Sequence, residues 1–165
     1  MSRAFVKEND GDDASDIPER PVPSHANYVT ARGLAQLQAR AQALAREHEA
    51  LSSDDPDVKR RRREVERDQR YMARQLERAE LVPPAPASDA PHGIRFGDRV
   101  EIGLENGERH TYRIVGYDEA DAAVGDISWA SPLAKALLGA RVSDVVTWTR
   151  PAGAVDIEIA TISRG

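Results

Sequence analysis

The sequence predicts an α+β protein: an antiparallel helical hairpin followed by a small antiparallel β domain with one short helix. Three observations carry this. Apolar residues recur at alternating steps of three and four from Leu34 to Leu51, and again in a compatible register from Val58 to Ala79, which is the pattern of a two-helix seam. A proline-rich break, Pro83 to Gly93, follows. Beyond it, residues of strand type flank Asn106-Gly107, the strongest short hairpin signal, and a capped short helix and two more strands come after.

In chain order, residues 1–27 read as a flexible acidic tail. The stretch "ENDGDDASDIPERPVPS" is rich in Asp, Pro and Ser and poor in large apolar groups, so burial there cannot offset the entropy of ordering. Residues 28–82 form the predicted coiled-coil arm. Thr30 is a good N-cap, and Val29 before it can staple to Leu34. Leu34, Leu37, Ala41, Leu44, His48 and Leu51 supply one side of the seam. Val58, Val65, Met72, Leu76 and Ala79 supply the other, with Arg62 and Gln69 at the positions between. A short turn joins the two helices, so they run antiparallel. At 1.5 Å per residue, about 21 residues per helix project the arm roughly 30 Å. Residues 83–93 are a stiff linker whose prolines end the second helix. In residues 94–165, Ser131 caps a short helix with Pro132 at its first position. Leu133, Leu137 and Leu138 make its apolar face, and Gly139 stops it. A twisted sheet packed on that helix is the α+β solution.

Composition narrows the function. The 165 residues carry a formal charge of −5, with 31% charged and only 5% aromatic, which suits one medium domain or a small one with an appendage. The absence of cysteine rules out disulfides and thiolate metal sites and fits a reducing cytoplasm. No apolar run approaches the roughly 20 residues of a membrane span, and the first residues turn acidic where a signal peptide needs its apolar core. A cytoplasmic monomer is expected. No glycine-rich phosphate loop is present, and His25, His48, His92 and His110 have no ligand spacing. The string "DEAD", Asp118 to Asp121, reads as a loop.

Two stretches are candidates for chemistry. "SSDDPD" at the turn between the helices offers Asp54, Asp55 and Asp57, carboxylates of the kind that hold a hard cation. The same residues also make a well-capped turn: Asp55 as N-cap, Pro56 at the first helical position, and Asp57 against the helix dipole. The basic run that follows offers Lys59, Arg60, Arg63, Arg67 and Arg70 as a patch for phosphates or an acidic protein, while Glu64 and Asp68 can pair with it at helical spacing.

The segments "YVTARGLAQL", "KRRRREVERDQRYMARQLERAELV" and "YRIVGYDEADAAVGDISWASPLAKALLGARVSDVV" resemble the bacterial Gre transcript-cleavage factors, and "MSRAFVKE" resembles the start of their B-type members. "RPAG", Arg150 to Gly153, stands where the family has "TPAG". The resemblance covers most of residues 28–162. It implies an N-terminal antiparallel coiled coil on a C-terminal FKBP-like domain that docks on the rim of the secondary channel of RNA polymerase. Trp129, Ser131, Pro132 and Lys135 are then the docking residues. The basic patch faces polymerase or nascent RNA, and no membrane is involved. On this resemblance, no catalytic residues and no cofactor of its own are expected. Magnesium enters only through the polymerase active site, where acidic tip residues help hold it.

The sequence departs from the family in three places. The tip motif "G-D-x-x-E-N-x-x-Y" is replaced by "SSDDPD". Each helix is about two turns shorter, roughly 11 Å of reach. Ala130 stands where the B-type factors have an Asp before the Ser-Pro. These departures favour an elongation regulator or a competitor of longer channel factors. The alternatives are a true cleavage stimulator with Asp54, Asp55 and Asp57 at the polymerase magnesium and, remotely, a peptidyl-prolyl isomerase, whose pocket would draw on Phe96, Tyr112, Tyr117, Trp129 and Trp148.

Overall fold

A computed structural model describes residues 17–85 and 92–164. The first described residues lie against the arm. A three-residue strand β1 (Asn27–Val29) leads into helix α1 (Ala31–Ala50), a turn, helix α2 (Pro56–Glu77) and strand β2 (Ala79–Leu81). β1 and β2 pair in parallel and tie the base of the hairpin together. The β domain runs β3 (Arg99–Leu104), β4 (Arg109–Val115), a 3-10 turn at Ala122–Val124, β5 (Asp126–Ser128), helix α3 (Pro132–Leu137), β6 (Val145–Arg150) and β7 (Gly153–Ser163).

The arm forms because its caps and seam agree. The Thr30 side chain accepts a hydrogen bond from Gly33 N at 2.9 Å, and Asp55 accepts one from Asp57 N at 2.8 Å. Each satisfies one of the orphan donors of a helix start. Leu37, Leu44, Val65 and Met72 are buried at the seam, with Leu34, Ala41, Leu51 and Leu76 packed around them. The helices hold 20 and 22 residues, so the arm extends about 30 Å. The polar seam positions serve the backbone: Arg62 donates twice to the Leu51 carbonyl at the end of α1, and Gln69 Nε2 donates to Leu44 O.

The five-stranded sheet has the order β5-β4-β3-β7-β6. It is antiparallel except at the edge pair β4–β5, which is parallel. One face carries Val100, Ile102, Ile114, Ile157 and Ile159, and α3 covers it with Leu133, Ala134 and Leu137. The hairpin at Asn106-Gly107 closes through a bond from Gly107 N to Leu104 O, and Gly107 takes a φ of +84° that glycine accepts without steric cost.

Part of the expected tail behaves differently from its composition. Residues 1–16 fall outside the described region, as do residues 86–91 of the expected linker. Residues 17–26, however, run along α2. Glu19 pairs with Arg70, Arg20 lies 4.0 Å over the Tyr71 ring, Val22 joins the arm core, and Arg78 donates to the carbonyls of Pro23 and His25. The prolines help, because a pre-extended segment loses less entropy when it docks.

Candidate functional site at the arm tip, the basic face and the joint

At the tip, the carboxylates divide. Asp55 turns back onto its own helix as the N-cap, Asp54 reaches Lys59 at 3.2 Å, and Asp57 occupies the first turn of α2. The Asp54 side chain is fully exposed. Among the described residues, no group of three or more His, Asp or Glu side chains is arranged to hold a metal. Local backbone chemistry thus accounts for Asp55 and Asp57.

The basic face of α2 is partly neutralised. Arg60 pairs with Glu64 one turn on. Arg61 bridges Glu64 and Glu47 of the facing helix, at 3.1 and 2.7 Å. Arg67 pairs with Asp68, and Arg70 with Glu19. Among the described residues, Arg63 and Arg74 make no ion pair. The four arginines 63, 67, 70 and 74 follow steps of four, three and four and so share one face of the helix.

The docking candidates also separate. Pro132 and Lys135 are exposed. Ser131 is the N-cap of α3, accepting from Ala134 N at 3.2 Å. Trp129 is not a free anchor: its ring packs on Tyr28 and His25 with centroids 5.0 and 5.2 Å apart, and it leans on the β core. It seats the N-terminal segment on the β domain, which explains an aromatic there without any external partner.

The feature that sequence reasoning missed is the joint between arm and domain. Asp118 accepts from Tyr71 Oη at 2.8 Å and from Gln75 Nε2 at 2.5 Å. Glu119, its side chain 2% exposed, accepts from the Thr30 hydroxyl at 2.7–2.8 Å and from Arg32 Nε at 2.8 Å. Arg32 also pairs with buried Asp126. The "DEAD" loop is therefore a clamp on the bases of both helices. Buried carboxylates are tolerated only when paired and hydrogen-bonded, and buried Glu119 and Asp126 are. Burial, and then the hydrogen bond to Asp118, push the Tyr71 phenol well above the usual tyrosine range. Its two carboxylate partners hold the Arg32 guanidinium more firmly protonated. Two glycines permit the fit. A Cβ at Gly33 would lie 2.5 Å from a Glu119 carboxylate oxygen, and one at Gly116 would lie 2.6 Å from the Tyr28 carbonyl oxygen.

A cavity of about 440 Å³ opens on the outer face of the sheet. Its walls include Glu105, Arg109, Asp156 and Glu158, with no aromatic side chain. Phe96, Tyr112, Trp129 and Trp148 instead pack against the β core, and Tyr117 is exposed beside His25. That is not the apolar pocket a prolyl isomerase needs.

A β domain carrying a clamped helical arm defines the class, and comparison with known proteins agrees. Residues 90–164 match the family model for the C-terminal domain of transcription elongation factor GreA/GreB. GreB of Yersinia pestis is 34% identical over 144 residues, covering 78% of this chain and 83% of that protein. GreB of Neisseria meningitidis serogroup B is 40% identical over 104 residues, covering 63% of each, so this chain spans somewhat less than two thirds of that relative. The crystal structure of GreA factor homolog 1 of Thermus thermophilus aligns over 84% of this chain and 99% of its own, at 26% identity and a TM-score of 0.41. The chain belongs to the GreA/GreB family.

Proposed function

We propose that this chain is a transcription elongation regulator that binds RNA polymerase through its β domain at the rim of the secondary channel. Its short arm occupies the channel mouth, where it modulates elongation or competes with longer-armed factors. It is an accessory protein, and any RNA cleavage belongs to the polymerase active site and its magnesium. The observation that carries this reading is the division of labour in the arm. The base is locked to the domain by buried Glu119 and half-buried Asp118, while the tip aspartates are engaged in capping and in a pair with Lys59. Membership of a family of transcription elongation factors supports the choice of RNA polymerase as the proposed partner.

The test is equilibrium binding to core RNA polymerase with two surface variants. Lys135→Glu, at an exposed position, is expected to weaken binding about tenfold, roughly 1.4 kcal/mol. A triple Ala variant at Asp54, Asp55 and Asp57 is expected to bind as the parent does. The reverse pattern would overturn the docking assignment.

A second reading, direct stimulation of cleavage, is favoured by one observation: the Asp54 side chain stands fully exposed at the end of the arm, available to a metal held by a partner. It requires the same triple variant to abolish transcript cleavage while retaining binding. Unchanged cleavage excludes it.

A further inference from the structure

Two neighbouring residues of the N-terminal segment sit on two neighbouring residues of α2. Arg70 Nε donates to a Glu19 carboxylate oxygen at 2.8 Å, and the Arg20 guanidinium lies 4.0 Å from the centroid of the Tyr71 ring. Arg70 belongs to the helix face that also carries Arg63, Arg67 and Arg74. The charge of that face reaches Glu19. The hydrogen bond to Arg70, with the charges of Arg74 and Arg67, holds its carboxyl below the ordinary range. Each contact has a definite chemical kind. One is an oxyanion on an arginine fork, and the other is a flat, delocalised group stacked on an aromatic face. A nucleotide brings the same two groups side by side, a phosphate that arginine holds and a flat base that an aromatic ring stacks on.

We propose that Arg70 and Tyr71 form a site for one nucleotide unit of a single-stranded nucleic acid, and that Glu19 and Arg20 occupy it as an internal stand-in. The Glu19 carboxylate holds the phosphate position, and the Arg20 guanidinium holds the base position. The segment is anchored just beyond this pair. Val22 joins the arm core, Arg78 donates to the carbonyls of Pro23 and His25, and the His25 ring packs on Trp129. Pro18 and Pro21 flank Glu19 and Arg20 and keep the stretch extended. The pair itself is held more loosely. The Glu19 and Arg70 side chains are 46% and 49% exposed, and exposed ion pairs are weak and screened by salt. A strand that supplies both phosphate and base therefore displaces them while the anchors stay in place. Arg63 and Arg74, which make no ion pair among the described residues, lie on the same face to take flanking phosphates. The Tyr71 hydroxyl is bonded to Asp118, which fixes the ring independently of the segment. The site lies on the arm and does not involve the docking of the β domain, so it stands or falls separately from the function proposed above.

The test is binding of a fluorescein-labelled oligoadenylate of about ten nucleotides to the full-length chain, read by anisotropy at low salt. Inorganic polyphosphate serves as the competitor that has no base. Glu19→Gln removes the stand-in carboxylate and should tighten both ligands about threefold. Arg20→Ala is the sharper variant, because loss of a positive charge and opening of the Tyr71 face act in opposite directions. It should tighten oligoadenylate about threefold, since a base can then stack on the ring, and it should weaken polyphosphate, which gains nothing from the ring. Arg70→Gln should weaken oligoadenylate about fivefold. The proposal is overturned if Arg20→Ala does not move the two ligands in opposite directions, or if Glu19→Gln leaves oligoadenylate binding unchanged. Absence of oligoadenylate binding by the parent and by every variant overturns it as well.

Discussion

The two ends of the arm use the same side chain in opposite ways. At the base, Glu119 and Asp126 are buried and Asp118 is half-buried, and the three are matched to Tyr71, Gln75, Thr30 and Arg32. At the tip, Asp54, Asp55 and Asp57 remain in solvent, and the bonds they make are local. A carboxylate in the joint cannot be removed without stranding a buried donor, whereas one at the tip can be removed at the cost of a cap or less. The base is thus built for rigidity, and the tip is left open to change. Length and tip sequence can vary in such an arm while its seating on the domain stays fixed.

Substitutions at the two ends should bring this contrast out. The largest effect is expected for Gly116→Ala, which drives a methyl group against the Tyr28 carbonyl. Backbone cannot swing aside as a side chain can, so a loss of about 2–3 kcal/mol is expected, read as a fall in the denaturation midpoint. Glu119→Ala strands the buried Thr30 hydroxyl and leaves Arg32 only Asp126 and water. It should cost about 2 kcal/mol and loosen the arm, visible as faster amide exchange in β1 and at the start of α1.

Alkaline pH probes the joint from another side. The folded state holds Tyr71 above its ordinary pKa of 10.0, so its contribution is fully present below about pH 10 and is lost as pH rises toward the folded value. Stability should fall above about pH 10, and Tyr71→Phe should flatten that fall. At the tip, Asp55→Ala removes an N-cap and should cost only about 1 kcal/mol, while Asp54→Ala, an exposed partner of Lys59, should stay within about 0.5 kcal/mol. Equal losses at tip and base would erase the distinction.

The elements that pack locally were readable in the sequence. The seam of Leu37, Leu44, Val65 and Met72 follows from spacing alone, and the caps at Thr30, Asp55 and Ser131 follow from residue type beside an apolar run. The joint was not, because its bonds link residues 43 to 94 positions apart, and nothing local distinguishes a clamping carboxylate from a loop one. One signal was available in Tyr71 and Gln75. They sit one turn apart beside the seam rather than in it, a second face that needs a partner. The three-residue strands β1 and β2 were too short to show a period. The segment at residues 17–26 read as solvated on composition, yet Arg20 and Val22 find partners that only the folded arm presents.

The most direct test of the functional account is binding to core RNA polymerase in competition with a cleavage-competent Gre factor. The account predicts mutually exclusive binding, with this chain displaced as the longer-armed factor is added. Simultaneous binding of both, or no binding by this chain, would contradict its placement at the secondary channel.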